Sequence, residues 1–227
     1  MLTGTTYAWY TDSVTSGKNT LIAGNLDVEL FHSSKIANPE PVDQNTTNLF
    51  KMNRWEPGCI VYENFTVKNS GSLEFDYRMS LNVFYKNSVI VDNRLYDLTD
   101  VIKIIVLDKP IADGSTRDAV RSKLQNAVTL REFMDSNTMT KVLNDGKVAA
   151  DGTDDFCVIL YWEPGADDDI YNINNGKLVD DYDANDPSRP NRLRIDLGVN
   201  LVASQTAVSE DAAPAPVEAD TTSKNQN

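Results

Sequence analysis

Residues 73–83 read LEFDYRMSLNV, and their alternation decides the fold. Leu73, Phe75, Tyr77, Met79, Leu81 and Val83 are apolar, while Glu74, Asp76, Arg78, Ser80 and Asn82 between them are polar. Successive side chains of a strand point to opposite faces, so this is a strand with one buried and one wet face. Antiparallel sheets carry that pattern, whereas parallel sheets bury both faces. The same period recurs on either side. Leu26, Val28 and Leu30 alternate with Asp27 and Glu29. Leu193, Ile195, Leu197, Val199 and Leu201 alternate with Arg192, Arg194, Asp196 and Asn200. Ile60 and Tyr62, then Phe65 and Val67, make another strand whose phase slips between Tyr62 and Phe65, as a β-bulge would make it. Residues 102–107 (IKIIVL) and 156–162 (FCVILYW) are nearly all apolar and read as central strands.

Turn signals separate these runs. Asn69-Ser70-Gly71 joins two of them as a tight hairpin would. Trp55-Glu56-Pro57-Gly58 recurs as Trp162-Glu163-Pro164-Gly165, and Pro followed by Gly is type II turn chemistry. One region breaks the β pattern. Ser115-Thr116-Arg117-Asp118 is a capping box followed by Val120, Leu124 and Ala127 at helical spacing. Thr129-Leu130-Arg131-Glu132 is a second, followed by Phe133, Met134, Val142 and Leu143, with Gly146 as a stop. The expected fold is mainly β: an antiparallel β-sandwich or jelly roll over residues 13–203, with a short two-helix insertion at about 115–145.

The ends differ from the body. Met1 to Tyr7 is uncharged and lacks a basic n-region, so it reads as a plain start or the remnant of a removed signal. Residues 204–227 hold no aromatic residue, an Ala-Pro-Ala-Pro stretch, and four acids against one lysine. Such a segment buries too little apolar surface to offset its chain entropy and is expected to be a disordered acidic tail.

The 227 residues carry 21 Lys+Arg against 34 Asp+Glu, a net charge of −13. That balance argues against nucleic acid as a partner, because a phosphate footprint needs clustered Lys/Arg. No run reaches the ~18 apolar residues that span a bilayer. His32 is the one histidine, which excludes a two-histidine zinc motif. Cys59 and Cys157 are too few for a disulfide scaffold or a Cys-rich zinc site.

Residues 7–30 (YAWYTDSVTSGKNTLIAGNLDVEL), Trp55 to Gly58, and residues 62–83 with Phe65, Val67, Asn69, Gly71 and Leu73 in order resemble the TasA/camelysin family of secreted bacterial and archaeal proteins. Residues 193–205 (LRIDLGVNLVASQ) look like that family's closing strand. The resemblance implies a jelly roll, an extracellular location, and assembly into biofilm matrix fibres in which an N-terminal strand is supplied to the neighbouring subunit. The implied partner is a second copy of the chain, head to tail, with related matrix proteins as further partners. It also carries the label of a casein-cleaving metalloendopeptidase.

On this reading residues 1–12 form an assembly strand, with Tyr7, Trp9, Tyr10 and Thr11 as its working residues. An ordinary first strand of the chain's own sheet is the competing interpretation. Asp181, Asp183 and Asn185 alternate as the oxygen ligands of a calcium loop do, although Asp186 stands where the EF-hand has Gly and Arg192 where it has Glu. They are a candidate calcium site beside the simpler reading of a solvated acidic loop. His32 has no local metal-ligand partner, so a surface or half-buried histidine is expected, and no catalytic residue is assigned. Cys59 and Cys157 are either a disulfide across the sandwich or two thiols. Asn45-Thr46-Thr47 and Asn64-Phe65-Thr66 match the glycosylation sequon. Three functions remain open: a secreted fibre subunit that needs no cofactor, a metalloendopeptidase, and a monomeric surface binding module.

Overall fold

A computed structural model describes residues 11–15, 26–33, 38–43, 49–50, 55–171 and 193–205. Its strands are β1 (Thr11–Thr15), β2 (Val28–Ser33), β3 (Glu40–Pro41), β4 (Ile60–Asn69), β5 (Phe75–Lys86), β6 (Ser88–Val91), β7 (Arg94–Asp97), β8 (Ile102–Leu107), β9 (Val128–Thr129), β10 (Thr140–Val148), β11 (Thr153–Trp162) and β12 (Ile195–Gln205). Three short helices accompany them: α1 (Arg117–Arg121), α2 (Leu130–Phe133) and α3 (Asp168–Tyr171). One sheet runs β1-β12-β5-β10 and the other β3-β2-β4-β11-β8-β9, while β6 and β7 form a separate hairpin. Every neighbouring pair is antiparallel. The chain changes sheet between β1 and β2, between β4 and β5, between β5 and β8 by way of the β6–β7 hairpin, between β9 and β10, and at each step from there to β12. Four strands per sheet with these crossings are the connectivity of a jelly roll, and β2 and β3 extend its β4 edge.

The alternation of β5 works as expected. Phe75, Tyr77, Met79 and Leu81 are buried and meet Val199, Leu201 and Ala203 of β12 in one core. The facing sheet contributes Phe65, Val67, Phe156, Val158 and Leu160. Phe65 and Phe156 are cross-strand partners whose rings stack at 5.5 Å. β11 is buried from Phe156 through Trp162, on both faces. Its outer face lies under the insert that carries α1, where Ile111, Val120, Cys157 and Ile159 form a second cluster with Ile60, Tyr62, Ile105, Leu107 and Leu124 packed against it.

That cover accounts for the apparent phase slip in β4. No bulge interrupts it: the β4–β11 register is continuous from Lys68↔Thr153 to Ile60↔Tyr161. Ile60 and Tyr62 are apolar because the insert covers the outward face. The inward series of Val61, Phe65 and Val67 is interrupted by Glu63. The real irregularities lie between Val142 and Asn144 in β10 and between Asp196 and Leu197 in β12.

Four other expectations shift. Asn69-Ser70-Gly71 is a corner between sheets, not a hairpin; the Asn69 amide donates to the Leu73 and Val148 carbonyls and its oxygen accepts from the Gly71 amide. The tight hairpin is β6–β7, whose turn residues Asp92 and Asn93 have φ of 50° and 63°, the left-handed pair that a two-residue turn requires. The helical insert is shorter than 115–145. Thr116, not Ser115, caps α1. The Thr129–Glu132 capping box forms, but α2 ends at Phe133. Asp135 then accepts from the amides of Asn137 and Thr138, closing a turn that sends the chain into β10. Val142, Leu143 and Gly146 are therefore strand residues, drawn there by the free edge of β5. Finally β12 continues through Ser204 and Gln205, so these two residues are strand and not tail, and residues 206–227 lie outside the described ones.

Candidate functional site

His32 stands in phase with Val28 and Leu30 of β2, so it points inward rather than to the surface. Its cross-strand partner is Phe65. Glu63 is inward for the same reason, two residues before Phe65 on β4. The two meet with His32 Nδ1 3.4 Å from Glu63 Oε2, their side chains only 11% and 8% exposed. A carboxylate in this position can orient the imidazole. Among the described residues no third His, Cys, Asp or Glu joins them in a group able to hold a metal ion.

The two cysteines are held apart. The Trp162 amide donates to the Cys59 carbonyl, which puts Cys59 opposite Trp162, whereas Cys157 is paired with Asn64. Five residues of β11 separate the two levels, roughly 16 Å at ~3.3 Å per residue. A disulfide needs Cα atoms within about 7 Å, so the pairing across the sandwich is ruled out by register. Cys157 is fully buried, and burial pushes its thiol up to about 12.

Asn64, the acceptor of one sequon, is 5% exposed and locked against the backbone of Ile111. Asn45 lies outside the described residues, as do Tyr7, Trp9, Tyr10 and the Asp181, Asp183, Asn185 loop. Thr11 opens β1 opposite Ser204, and the register continues to Thr15 opposite Asn200. β1 is an edge strand, joined to its sheet through β12.

A feature with no sequence motif lies at the end of the sandwich where β12 begins. A cleft of about 470 Å³ is lined by Phe50, Trp55, Leu98, Trp162, Leu193 and Leu197 among others. The Arg194–Asp196 ion pair, 2.6 Å apart, also borders it. Trp162 is 3% exposed, and among the described residues its indole N–H finds no acceptor. An unmet buried donor costs about 1–3 kcal/mol. Phe50 holds φ at 55°, a left-handed backbone that costs a non-glycine residue about 1–2 kcal/mol.

A family model described as camelysin metallo-endopeptidase matches residues 1–188. The chain belongs to the camelysin family. The match takes in β1 through α3 and stops short of β12. No curated protein matches the chain. The camelysin description implies a catalytic metal, and such a metal takes three protein ligands plus an open position. His32 and Glu63 offer two, and their 3.4 Å approach is that of two groups engaged with each other. The described residues of this camelysin relative therefore do not fit a catalytic zinc, and no hydrolytic step can be derived from them. No helix among them is long and apolar enough to cross a membrane.

Proposed function

We propose that this camelysin-family chain is a secreted structural subunit of an extracellular, biofilm-type fibre, and that it assembles by lending its N-terminal segment to the next subunit. One observation carries the reading: β1 is a five-residue edge strand that, among the described strands, pairs with β12. The same rungs form whether that strand comes from the chain itself or from a neighbour, so exchange between copies is cheap. An exchange of this kind is heterologous and does not close on itself, which yields filaments rather than rings. Tyr7, Trp9 and Tyr10, just ahead of β1, would add side-chain anchors to the main-chain pairing. Related matrix proteins with a like edge are candidate co-polymers.

Electron microscopy of the purified chain tests this. Filaments are expected, and deletion of residues 1–12 should leave a folded protein that forms none. Monodisperse particles from the intact chain would overturn the reading in favour of a monomeric binding module.

A further inference from the structure

We infer that the outer face of β10, β5 and β12 is a docking surface for a neutral polysaccharide, with Phe84 as the ring on which a sugar stacks. The inference goes beyond the fibre reading and does not depend on it, since the face serves a polymerised chain and a solitary one alike.

The backbone puts Phe84 on display. Leu197 is the partner of Val83 and Asp196 that of Tyr85, so Phe84 is the extra residue of the β5–β12 irregularity. A bulge of this kind re-aims one side chain. The ring lies over Gly198, where a β-carbon would stand 2.3 Å from it. Gly198 alternates with the buried Val199, so the side chain it lacks belongs to the outer face, and the ring occupies the notch left there. Phe84 is nonetheless 64% exposed. A ring fixed by its backbone and its neighbour loses little freedom when a ligand stacks on it.

Beside Phe84 the face carries amides and hydroxyls and no charge. Asn82 is flanked by Gly198 and Thr140, and Ser80 by Asn200 and Val142. None of these six positions is charged, in a chain of which 24% is. Charge returns one rung further on, where Arg78 stands opposite Asp145. The Thr140 hydroxyl donates to the Asn82 side-chain oxygen at 2.8 Å, which leaves the two Asn82 N–H groups to donate to a ligand. The strip measures about 13 Å from Ser80 to Phe84 and about 10 Å across its three strands, room for more than one sugar ring.

Charge matching selects the occupant. An acidic glycan or a nucleic acid would bring charges that no residue of these two rungs neutralises, against a chain of net charge −13. A neutral polysaccharide brings hydroxyls that pair with amides and hydroxyls, and apolar ring faces that stack on an aromatic one.

The test is affinity electrophoresis of the full-length chain in native gels cast with dextran, hydroxyethyl cellulose or galactomannan. At least one of these neutral polymers should retard the chain. Phe84→Ala should weaken that retardation by about tenfold or more, and Phe84→Trp should keep it. Asn82→Ala should weaken it several-fold. A cooperative melt of each variant confirms its fold. Retardation by none of the three polymers, as when another part of the chain covers the face, overturns the inference. So does retardation indifferent to Phe84→Ala, or an equal response to the anionic polymer polygalacturonate. Fibre imaging of the Phe84→Ala chain keeps the two ideas apart. Unaltered fibres with lost retardation support the glycan face, while lost fibres from a chain that no polymer retards make the face a contact between copies and overturn the inference.

Discussion

Asn64 and Ile111 close a two-bond clasp: the Asn64 amide donates to the Ile111 carbonyl at 3.0 Å, and its oxygen accepts from the Ile111 amide at 2.8 Å. This clasp pins the start of the insert that carries α1 to the outer face of β4. Asn64→Leu leaves a buried N–H and a buried C=O of Ile111 without partners, each worth about 1–3 kcal/mol. Urea denaturation should show a loss of about 2–4 kcal/mol, and the second cluster around Val120 should lose hydrogen-exchange protection first. With both amide atoms engaged and the side chain buried, Asn64 should also stay unglycosylated in folded protein from a glycosylating host, as intact mass will report.

Asp97 should govern part of the acid sensitivity. Burial alone would raise its carboxyl, but hydrogen bonds from Lys86 and from the Thr99 amide and hydroxyl prevail and hold it below the usual range. A carboxyl depressed in the folded state contributes stability above its unfolded value of about 4 and loses it as pH falls through the folded one. Asp97→Asn is expected to cost about 2 kcal/mol at neutral pH. The gap between the two melting temperatures should close as the pH drops below about 4. A gap that stays constant down to pH ~2 would contradict this assignment.

The thiols should behave as unlike groups. Cys59 is partly exposed, next to the surface pocket formed with Tyr62 and Arg117. Cys157 is buried beneath the α1 insert. Native maleimide labelling should modify Cys59 quickly and Cys157 only on global unfolding. Non-reducing mass should equal that of two thiols, and reductant should leave the melting temperature unchanged. A monomer two hydrogens lighter would refute the β4–β11 register that holds the two sulfurs apart.

The family's peptidase description leads to a direct assay. Because His32 and Glu63 gather no third ligand among the described residues, casein should survive incubation with pure protein, with and without chelator. Chelator-sensitive cleavage that disappears in His32→Ala would restore the enzymatic reading. His32→Ala should instead register as a stability change of about 1–2 kcal/mol, from an inward side chain and its bond to Glu63.

The strands were legible where one face meets water. Residues 73–83 have polar residues on one side only, and their period survives intact in β5. β4 misled because its outward face is covered by residues more than forty positions away, so Ile60 and Tyr62 looked out of phase when only Glu63 was. The Thr129 capping box was real, but it starts a helix without setting its length, and the turn at Asp135 ended it. His32 shares its phase with Val28 and Leu30, a signal for an inward side chain that the expectation of a surface or half-buried histidine left unused. Its partner Glu63 was not, since no local spacing joins them. The cleft could not be seen at all, because Phe50, Trp55, Leu98, Trp162 and Leu193 come from separate stretches that only the jelly-roll crossings bring together.

The β1–β12 register has a mechanical consequence. Rungs between antiparallel strands lie across the strand direction. Tension applied through the residues ahead of Thr11 runs along β1 and loads the rungs from Thr11 to Thr15 together, in shear, instead of peeling them one by one. A subunit tugged at that end would resist as a lap joint does, yielding late and all at once.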